Sequence, residues 1–284
     1  MQKIIVPTDF SFISYNALEF AKMIAKKTDG TIFLVHVMEP ISGKYSSTGE
    51  FMEDDLDHIY NNKLSEKIGN ELKILKKAHA NRFYEIQTKL LVGDLFQELR
   101  DFIGFIEPDL VIMGAKGYTD AEEFFLGSLT DKVIRSISCP VITVTGKVNK
   151  NVFKNIVYAT DLEEEHVSIL NLLKEFQSLF SSQLHIVKIN TRKNFSNDID
   201  TMVEFERLVD KYQVKNYTLN CYSHEDEEYG VIYFADVKKA DLIAMGVHEK
   251  SGFRRLISGG SLASEVIDHT FRPILTYRFQ SEKE

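Results

Sequence analysis

The stretch LGSLTDKVIRSISCPVITV, residues 126–144, has the pattern of a helix followed by a strand. Leu129, Val133 and Ile137 recur at helical spacing, and the run PVITV that follows is continuous and apolar. The same pattern returns 133 residues later as GGSLASEVIDHTFRPILTY at 259–277. This recurrence indicates that one helix-and-strand arrangement is present twice in the chain.

The duplication extends over most of the chain. KIIVPTDFS at 3–11 matches NIVYATDLE at 155–163, and PDLVIMGAKG at 108–117 matches ADLIAMGVHE at 240–249. The offset falls from 152 residues between Asp9 and Asp161 to 132 residues between Gly114 and Gly246, so the second copy lacks 20 residues in between. A repeat of this length is a duplicated domain and far longer than a solenoid unit. We predict a first domain at 1–146 and a second at 152–284.

Strand-like runs alternate with helix-period stretches inside each copy. The predicted strands are 3–8, 31–37, 85–92, 109–113 and 140–144 in the first copy, and 155–160, 184–190, 216–222, 241–245 and 273–277 in the second. Continuous apolar strands that alternate with helices predict a parallel sheet covered by helices on both faces. The polar segment 39–57 is predicted to be a loop, and GKVNKN at 146–151 a linker.

Composition restricts the class of protein and its partners. The 284 residues are 44% hydrophobic and 27% charged, with a formal net charge of −8, which argues against nucleic acid and membrane as partners. No apolar run reaches the roughly 18 residues of a membrane span, and no signal peptide is visible. The two cysteines provide no disulfide framework, so we expect a cytoplasmic protein.

Three glycines follow the fourth predicted strand at the spacing G-x2-G-x9-G. They are Gly114, Gly117 and Gly127, and Ser128 comes next at the start of a helical pattern. Glycines and a helix start can hold a phosphate by backbone amides, but such a loop can also be only a turn, with Ser128 as the helix N-cap. The loop also contains acidic residues that oppose a polyphosphate unless they face solvent or a cation, namely Asp120, Glu122 and Glu123.

Asp9 follows the first predicted strand and has two interpretations. It can cap the first helix, or its carboxylate can accept hydrogen bonds from an adenine amine or from ribose hydroxyls. Because ligands bind beyond the carboxyl ends of parallel strands, Asp9, Val37 and Gly114 are expected near one crevice. A catalytic or metal-binding constellation is not evident, since the closest histidines are 19 residues apart, at His166 and His185.

VPTDFS at 6–11, the glycine loop at 114–128 and GSLTDKVIRSISCPVITV at 127–144 together resemble the universal stress protein family. Both halves carry the resemblance, which identifies a tandem protein. It implies a five-stranded parallel sheet in the order 3-2-1-4-5 in each half, and ATP as the ligand, with or without Mg²⁺.

The resemblance also implies roles for individual residues of the first half. Asp9 would contact the adenosine, Pro7 and Thr8 would shape its pocket, and Val37 would meet adenine through its backbone. Gly114 and Gly117 would let the chain approach ribose and phosphates. The phosphate tail would be held by Gly127, Ser128 and Leu129.

The second half departs from this pattern. Glu249 stands where the first half has Gly117, and the loop is one residue longer before Gly260 and Ser261. We therefore expect the nucleotide in the N-terminal domain only, with slow or no hydrolysis, so that the protein is at most a weak ATPase. Two functions remain open. The chain is either an ATP-binding stress regulator or a module of the stress response that binds another small ligand or a protein.

The fifth strands of the two halves, 140–144 and 273–277, are expected to pair. An apolar strand at a sheet edge presents unpaired backbone groups that a second strand can satisfy, and the short linker supplies that strand at high effective concentration. The halves would then form an intramolecular pseudo-twofold dimer, to which a further homodimer could be added.

Overall fold

The computed structural model of the protein describes residues 1–40, 53–115, 127–146, 153–162, 167–248 and 262–279. The strands are β1 Lys3–Pro7, β2 Thr31–Met38, β3 Glu85–Val92, β4 Leu110–Gly114, β5 Val141–Val144, β6 Asn155–Ala159, β7 Gln183–Asn190, β8 Tyr217–Ser223, β9 Leu242–His248 and β10 Ile274–Phe279. The helices in these ranges are α1 Phe12–Thr28, α2 Glu53–Ala78, α3 Leu95–Ile106, α4 Ser128–Ser136, α5 Val167–Phe180, α6 Asp198–Tyr212, α7 Glu227–Val237 and α8 Leu262–His269. All ten predicted strands are confirmed, with ends that differ by at most a few residues.

The chain divides into two compact units, Met1–Ile112 and Met113–Glu284, and the boundary lies within β4. In the first unit the strand order is β3-β2-β1-β4, and every pair is parallel. The residues Ile4, Ile5 and Val6 of β1 are fully buried, as a central strand covered on both faces requires. This order confirms the first four positions of the predicted sheet.

In the second unit the strand order is β5-β10-β9-β6-β7-β8. The pairs β10–β9, β6–β9, β6–β7 and β7–β8 are parallel. The amide of Ala115, directly after β4, donates to the carbonyl of Val144 at the end of β5, at 3.0 Å. Each repeat therefore has the predicted order 3-2-1-4-5.

The fifth strands pair antiparallel, as predicted. Ile142 lies opposite Leu275, and these two residues are themselves equivalent in the repeat. Thr143 Oγ1 donates to the carbonyl of Ile274 at 3.4 Å, and its counterpart Thr276 donates to the carbonyl of Val141 at 3.3 Å. Such reciprocal contacts between equivalent residues are the mark of a local twofold axis.

An aspartate directly before the fourth strand of each repeat binds the backbone at the start of the first strand. Asp109 Oδ2 accepts from the amides of Gln2 and Lys3, at 2.6 and 2.9 Å. In the second repeat, Asp241 Oδ2 accepts from the amides of Lys154 and Asn155, both at 2.9 Å. The duplication is therefore visible in hydrogen bonds as well as in sequence.

One predicted loop is partly wrong. Helix α2 begins at Glu53, so the last five residues of the segment 39–57 are helical, whereas 41–52 lies outside the described residues. Most of the linker also lies outside them. The domain limits 1–146 and 152–284 remain a prediction from the repeat.

Among the described helices, none combines the length and apolar composition needed to cross a bilayer.

Candidate functional site

A tight turn follows β1 and positions the first candidate residues. The amide of Thr8 donates to the carbonyl of Val35 at 2.8 Å, which extends the pairing of β1 with β2 by one residue. The amide of Phe10 then donates back to Thr8 Oγ1 at 3.1 Å, and Phe10 has a φ of 62°. A bulky residue at positive φ is strained, so the turn is held by its surroundings. It leaves Asp9 exposed at its tip.

The Asp9 carboxylate is held in place by the residues that follow it. Oδ1 accepts from the amide of Ser11 at 3.0 Å. Partial burial raises the pKa of Asp9, but hydrogen bonds from the Ser11 hydroxyl, the Ser11 amide and the Ser14 hydroxyl lower this pKa more, so it lies below its ordinary value. Asp9 is therefore an ionised acceptor at neutral pH.

The helix-capping interpretation of Asp9 is wrong. The N-cap of α1 is Ser11, whose hydroxyl accepts from the amide of Ser14 at 3.2 Å. Asp9 lies two residues earlier and bonds to the amide of this cap. Its carboxylate thus has acceptor capacity beyond its bond inside the turn.

Val37 presents its backbone beside the same turn. β1 ends at Pro7, which lies opposite Val35, so no residue of β1 lies opposite Val37. The carbonyl of Val35 points towards β1, where it accepts from Thr8. Alternate residues of a strand direct their backbone groups to the same side, so the amide and carbonyl of Val37 point past the end of β1. This is the geometry that contact with a flat polar ring through the backbone requires.

His36 supports the turn. Its Nδ1 lies 2.7 Å from the carbonyl oxygen of Thr8, and its ring lies 4.8 Å from the ring of Phe10, centroid to centroid. These contacts explain how Phe10 is kept at positive φ. The motif VPTDFS pointed to the turn, but neither the role of His36 nor the strain at Phe10 could be read from it.

The second repeat builds the same turn. The amide of Thr160 donates to the carbonyl of Val187 at 3.0 Å, the amide of Leu162 donates to Thr160 Oγ1 at 3.1 Å, and Leu162 has a φ of 67°. Asp161 follows Thr160 as Asp9 follows Thr8. A strained turn retained in both copies indicates a local geometry that both copies require.

The second group of candidate residues lies in the second unit, at the end of β4 and the start of α4. Gly114 ends β4, and its carbonyl accepts from Thr130 Oγ1 at 3.0 Å. The amide of Gly127 donates to the carbonyl of Ala115 at 2.7 Å. These bonds bring the end of β4, at Gly114, next to Gly127, Ser128 and Leu129 at the start of α4.

The start of α4 also corrects the role expected for Ser128 as an N-cap. The N-cap is Gly127, and no side-chain hydrogen bond caps this helix start in the described part of the chain. Ser128 is the first helical residue and is exposed, and Leu129 is half-buried. A glycine cap provides no side-chain oxygen for the first amides of the helix, so these amides can bind an anion.

The acidic residue of this first turn is already engaged. Asp131 Oδ1 accepts from Arg135 Nε at 2.8 Å and from Ser264 Oγ at 3.1 Å. The negative charge of Asp131 is therefore partly neutralised, which lowers the electrostatic cost of an anion at the helix start.

Several predicted features fall outside the described residues. They are Gly117 with Lys116, Asp120, Glu122 and Glu123 in the first loop, and Glu249, Gly260 and Ser261 in the second. Within the described ranges, no group of three His, Cys, Asp or Glu side chains is arranged to hold a metal ion.

Comparison with known proteins gives the family. The model of the universal stress protein family matches residues 1–145. Universal stress protein MJ0531 of Methanocaldococcus jannaschii is 30% identical over 151 residues, which are 50% of this chain and 81% of that protein. Universal stress protein Slr1230 of Synechocystis is 26% identical over 294 residues, covering 98% of this chain and 100% of that protein.

A solved structure has the same fold over nearly the whole chain. The crystal structure of a universal stress protein from Archaeoglobus fulgidus covers 97% of this chain and 98% of its own, with a TM-score of 0.73 and 17% identity. The chain belongs to the universal stress protein family, as a tandem protein with two copies of the fold.

Proposed function

We propose that this protein binds ATP in its first repeat and acts as a nucleotide-dependent regulator in the stress response. The observation that carries the proposal is the start of α4. Gly127 caps the helix without a side-chain acceptor, and its bond to Ala115 holds the helix start next to the end of β4. Helix starts of this kind are suited to phosphate.

The turn after β1 supports an adenosine ligand. The ionised Asp9 carboxylate can accept hydrogen bonds from ribose hydroxyls, and the backbone of Val37 offers a donor and an acceptor to the edge of adenine. Pro7 and Thr8 form the wall of this turn, with Thr8 fixed by its bond to Val35. Each group is matched by position to the family pattern.

Magnesium would arrive with the nucleotide. The described groups at the α4 start are amides and a hydroxyl, and Asp131 is engaged by Arg135 and Ser264. The phosphates would therefore supply most ligands of the ion, as is usual for Mg²⁺.

Hydrolysis is expected to be slow or absent. Asp9 has a lowered pKa, which makes it a poor general base, and the other matched residues position the nucleotide without activating a water molecule. The proposal includes a cytoplasmic location, because the two cysteines of the chain, Cys139 and Cys221, provide no disulfide framework.

Analysis of the purified protein for bound nucleotide tests the proposal. The full chain is purified without added nucleotide and denatured, and the released small molecules are identified by mass spectrometry. We expect an adenine nucleotide, or uptake of ATP by the emptied protein. A chain that neither retains an adenine nucleotide nor binds ATP at millimolar concentration would favour the other function class, a module for a different ligand or for a protein.

A further inference from the structure

A cavity of about 560 Å³ opens in the second unit at the carboxyl ends of β7 and β8. We propose that it binds a small zwitterion that carries an apolar ring, the chemical class of the aromatic amino acids. The two strands end side by side, with Asn190 opposite Ser223. Its walls include Asn190, Arg192, Phe195, Ser223, His224 and Glu225.

The residues at this position differ between the two repeats. In the first repeat the amide of Gly93 donates to the carbonyl of Met38 at 3.0 Å, and in the second the amide of His224 donates to the carbonyl of Asn190 at the same distance. The shared bond makes Asn190 the counterpart of Met38, and His224 the counterpart of Gly93. An apolar side chain and a glycine in one copy are thus an amide and an imidazole in the other.

The chain around this point is also shorter in the second repeat. The 20 residues that the second copy lacks fall between its second and fourth strands, the interval that contains this turn. A compact turn, Thr191–Ser196, leads from β7 towards α6. The two copies therefore differ in length in the interval that contains this cavity.

A network of side chains makes the floor of the cavity rigid. Asn190 is 3% exposed, and its amide nitrogen donates to the carbonyl of Ser196 at 3.1 Å and to Asp198 Oδ1 at 3.3 Å. Thr191 donates to Asn194 Oδ1 through its amide and its hydroxyl, both at 2.7 Å. Because these groups are already satisfied, the turn that carries Arg192 and Phe195 is ordered before any ligand binds, which reduces the entropy cost of binding.

Three wall residues define the ligand. Within the described ranges, neither Arg192 nor Glu225 has an ion-pair partner. Their charges are opposite and they belong to different loops, so together they match a carboxylate and an ammonium group on one molecule. Phe195 is 75% exposed, and a planar ring in the cavity would cover its face.

The volume agrees with a ligand of this size. Cavities that bind small molecules typically hold about 300–1,000 Å³, and parallel α/β sheets bind ligands beyond the carboxyl ends of their strands. An exposed cavity with one cation and one carboxylate predicts modest affinity. For a ligand of phenylalanine's size we expect a dissociation constant of about 0.1–1 mM.

Titration of the full chain with three related probes tests the proposal. L-phenylalanine has both charged groups, 3-phenylpropionate lacks the ammonium group, and 2-phenylethylamine lacks the carboxylate. Binding is followed by saturation-transfer NMR and calorimetry. We expect L-phenylalanine to bind at least about fivefold more tightly than either of the other two, with the same affinity when ATP is present.

Variants assign each contact. Arg192→Gln should abolish the preference for L-phenylalanine over 2-phenylethylamine. Glu225→Gln should abolish the preference for L-phenylalanine over 3-phenylpropionate. Phe195→Ala should weaken the binding of all three probes. Lys193→Gln, which removes the adjacent exposed cation outside the cavity, is the matched control and should change nothing. Absence of binding below about 10 mM, or preferences that survive both charge-removing variants, would overturn the proposal and would leave the ATP proposal unaffected.

Discussion

Two residues with unfavourable backbone geometry define this protein at the scale of single residues. Phe10 and Leu162 have φ values of 62° and 67° in equivalent turns, although neither is glycine. Such a conformation costs about 1–3 kcal/mol. In both turns a threonine hydroxyl, of Thr8 or Thr160, accepts a hydrogen bond from the amide of the strained residue. Both turns adopt this unfavourable conformation, and both have an aspartate at the tip.

Removing the charge of Asp9 should weaken nucleotide binding. In Asp9→Asn the side-chain oxygen can still accept from the Ser11 amide, so the turn is kept while a charged acceptor is lost. We expect the dissociation constant for ATP, measured by calorimetry, to rise roughly tenfold.

The second repeat provides the control for that variant. Asp161→Asn makes the same change in the equivalent turn, and we expect less than about a twofold change in ATP affinity. Equal losses in the two variants would contradict the assignment of the nucleotide to the first repeat. Circular dichroism would establish that both variants are folded.

His185 should make stability depend on pH. Burial lowers the pKa of His185 and the nearby Lys238 lowers it further, while His185 Nδ1 lies 2.8 Å from Thr218 Oγ1. Because the folded pKa is below the unfolded value of about 6.5, the unfolded chain binds more protons as the pH falls. The free energy of unfolding should therefore have its full value above about pH 6.5 and should decrease as the pH falls below 6.5.

Urea denaturation at pH 5, 6 and 7 measures this effect. His185→Gln keeps a hydrogen-bonding side chain without titration, so its stability should change less over this range than that of the wild type. The remaining dependence should include His79, whose pKa is lowered by burial and by Lys22 despite the opposing effect of Glu19. Identical pH profiles for the variant and the wild type would show that His185 does not contribute.

The sequence predicted which residues form the candidate site better than what each one does. Asp9 and Ser128 were both compatible with helix capping, but Ser11 and Gly127 are the caps. Sequence patterns tolerate a shift of one or two residues at a helix start, whereas the choice of cap depends on the backbone conformation of the preceding turn. For α1 that conformation is fixed by His36, a residue distant in sequence.

At the scale of elements, the start of α4 allows a test of the phosphate contact. Proline is favoured at the first helical position, and Gly127 has φ −59° and ψ 139°, a conformation that a residue before proline adopts readily. Ser128→Pro should thus keep the helix but remove one amide and the hydroxyl. We expect ATP affinity to fall about tenfold while adenosine affinity stays constant.

Ser128→Ala separates the two groups. It removes only the hydroxyl, so ATP affinity should fall less than in the proline variant. If both variants bind ATP as the wild type does, neither the amide nor the hydroxyl of Ser128 holds the phosphates. Calorimetry with ATP and adenosine provides both measurements.

The pairing of β5 with β10 should be sensitive to charge. Ile142 and Leu275 are fully buried and lie opposite each other at the local twofold axis. Ile142→Asp should lower the free energy of unfolding by at least about 3 kcal/mol, because it buries an unpaired carboxylate.

A smaller change at the same position is the control. Ile142→Val keeps the position apolar and should cost only about 0.5–1.5 kcal/mol in urea denaturation. A similar small cost for Ile142→Asp would mean that the pairing opens easily. Sedimentation velocity would then reveal whether the released strand edge causes association between chains.

Strands were predictable because their buried, β-branched runs are determined by local composition, as in Ile4–Val6 and Val141–Val144. The start of α2, by contrast, could not be predicted from the sequence. The acidic run at 53–57 resembles a solvated loop, yet acidic residues also favour the first turn of a helix, and sequence alone does not separate the two. The cavity at the ends of β7 and β8 was missed because its residues come from two loops with no shared motif.

At the scale of the whole molecule, duplication has preserved the scaffold and allowed the edges to diverge. The turn after the first strand, the aspartate before the fourth strand and the fifth-strand pairing are present in both copies. Met38 and Gly93 correspond to Asn190 and His224, where a separate cavity has formed. We therefore propose that the first repeat binds the nucleotide and that the second binds a different ligand.

The number of ATP molecules bound by the full chain tests this account most directly. Calorimetric titration of the purified, nucleotide-free protein should give one ATP per chain, because only the first repeat retains the complete family pattern of glycines. Two ATP molecules bound per chain with equal affinity would contradict it.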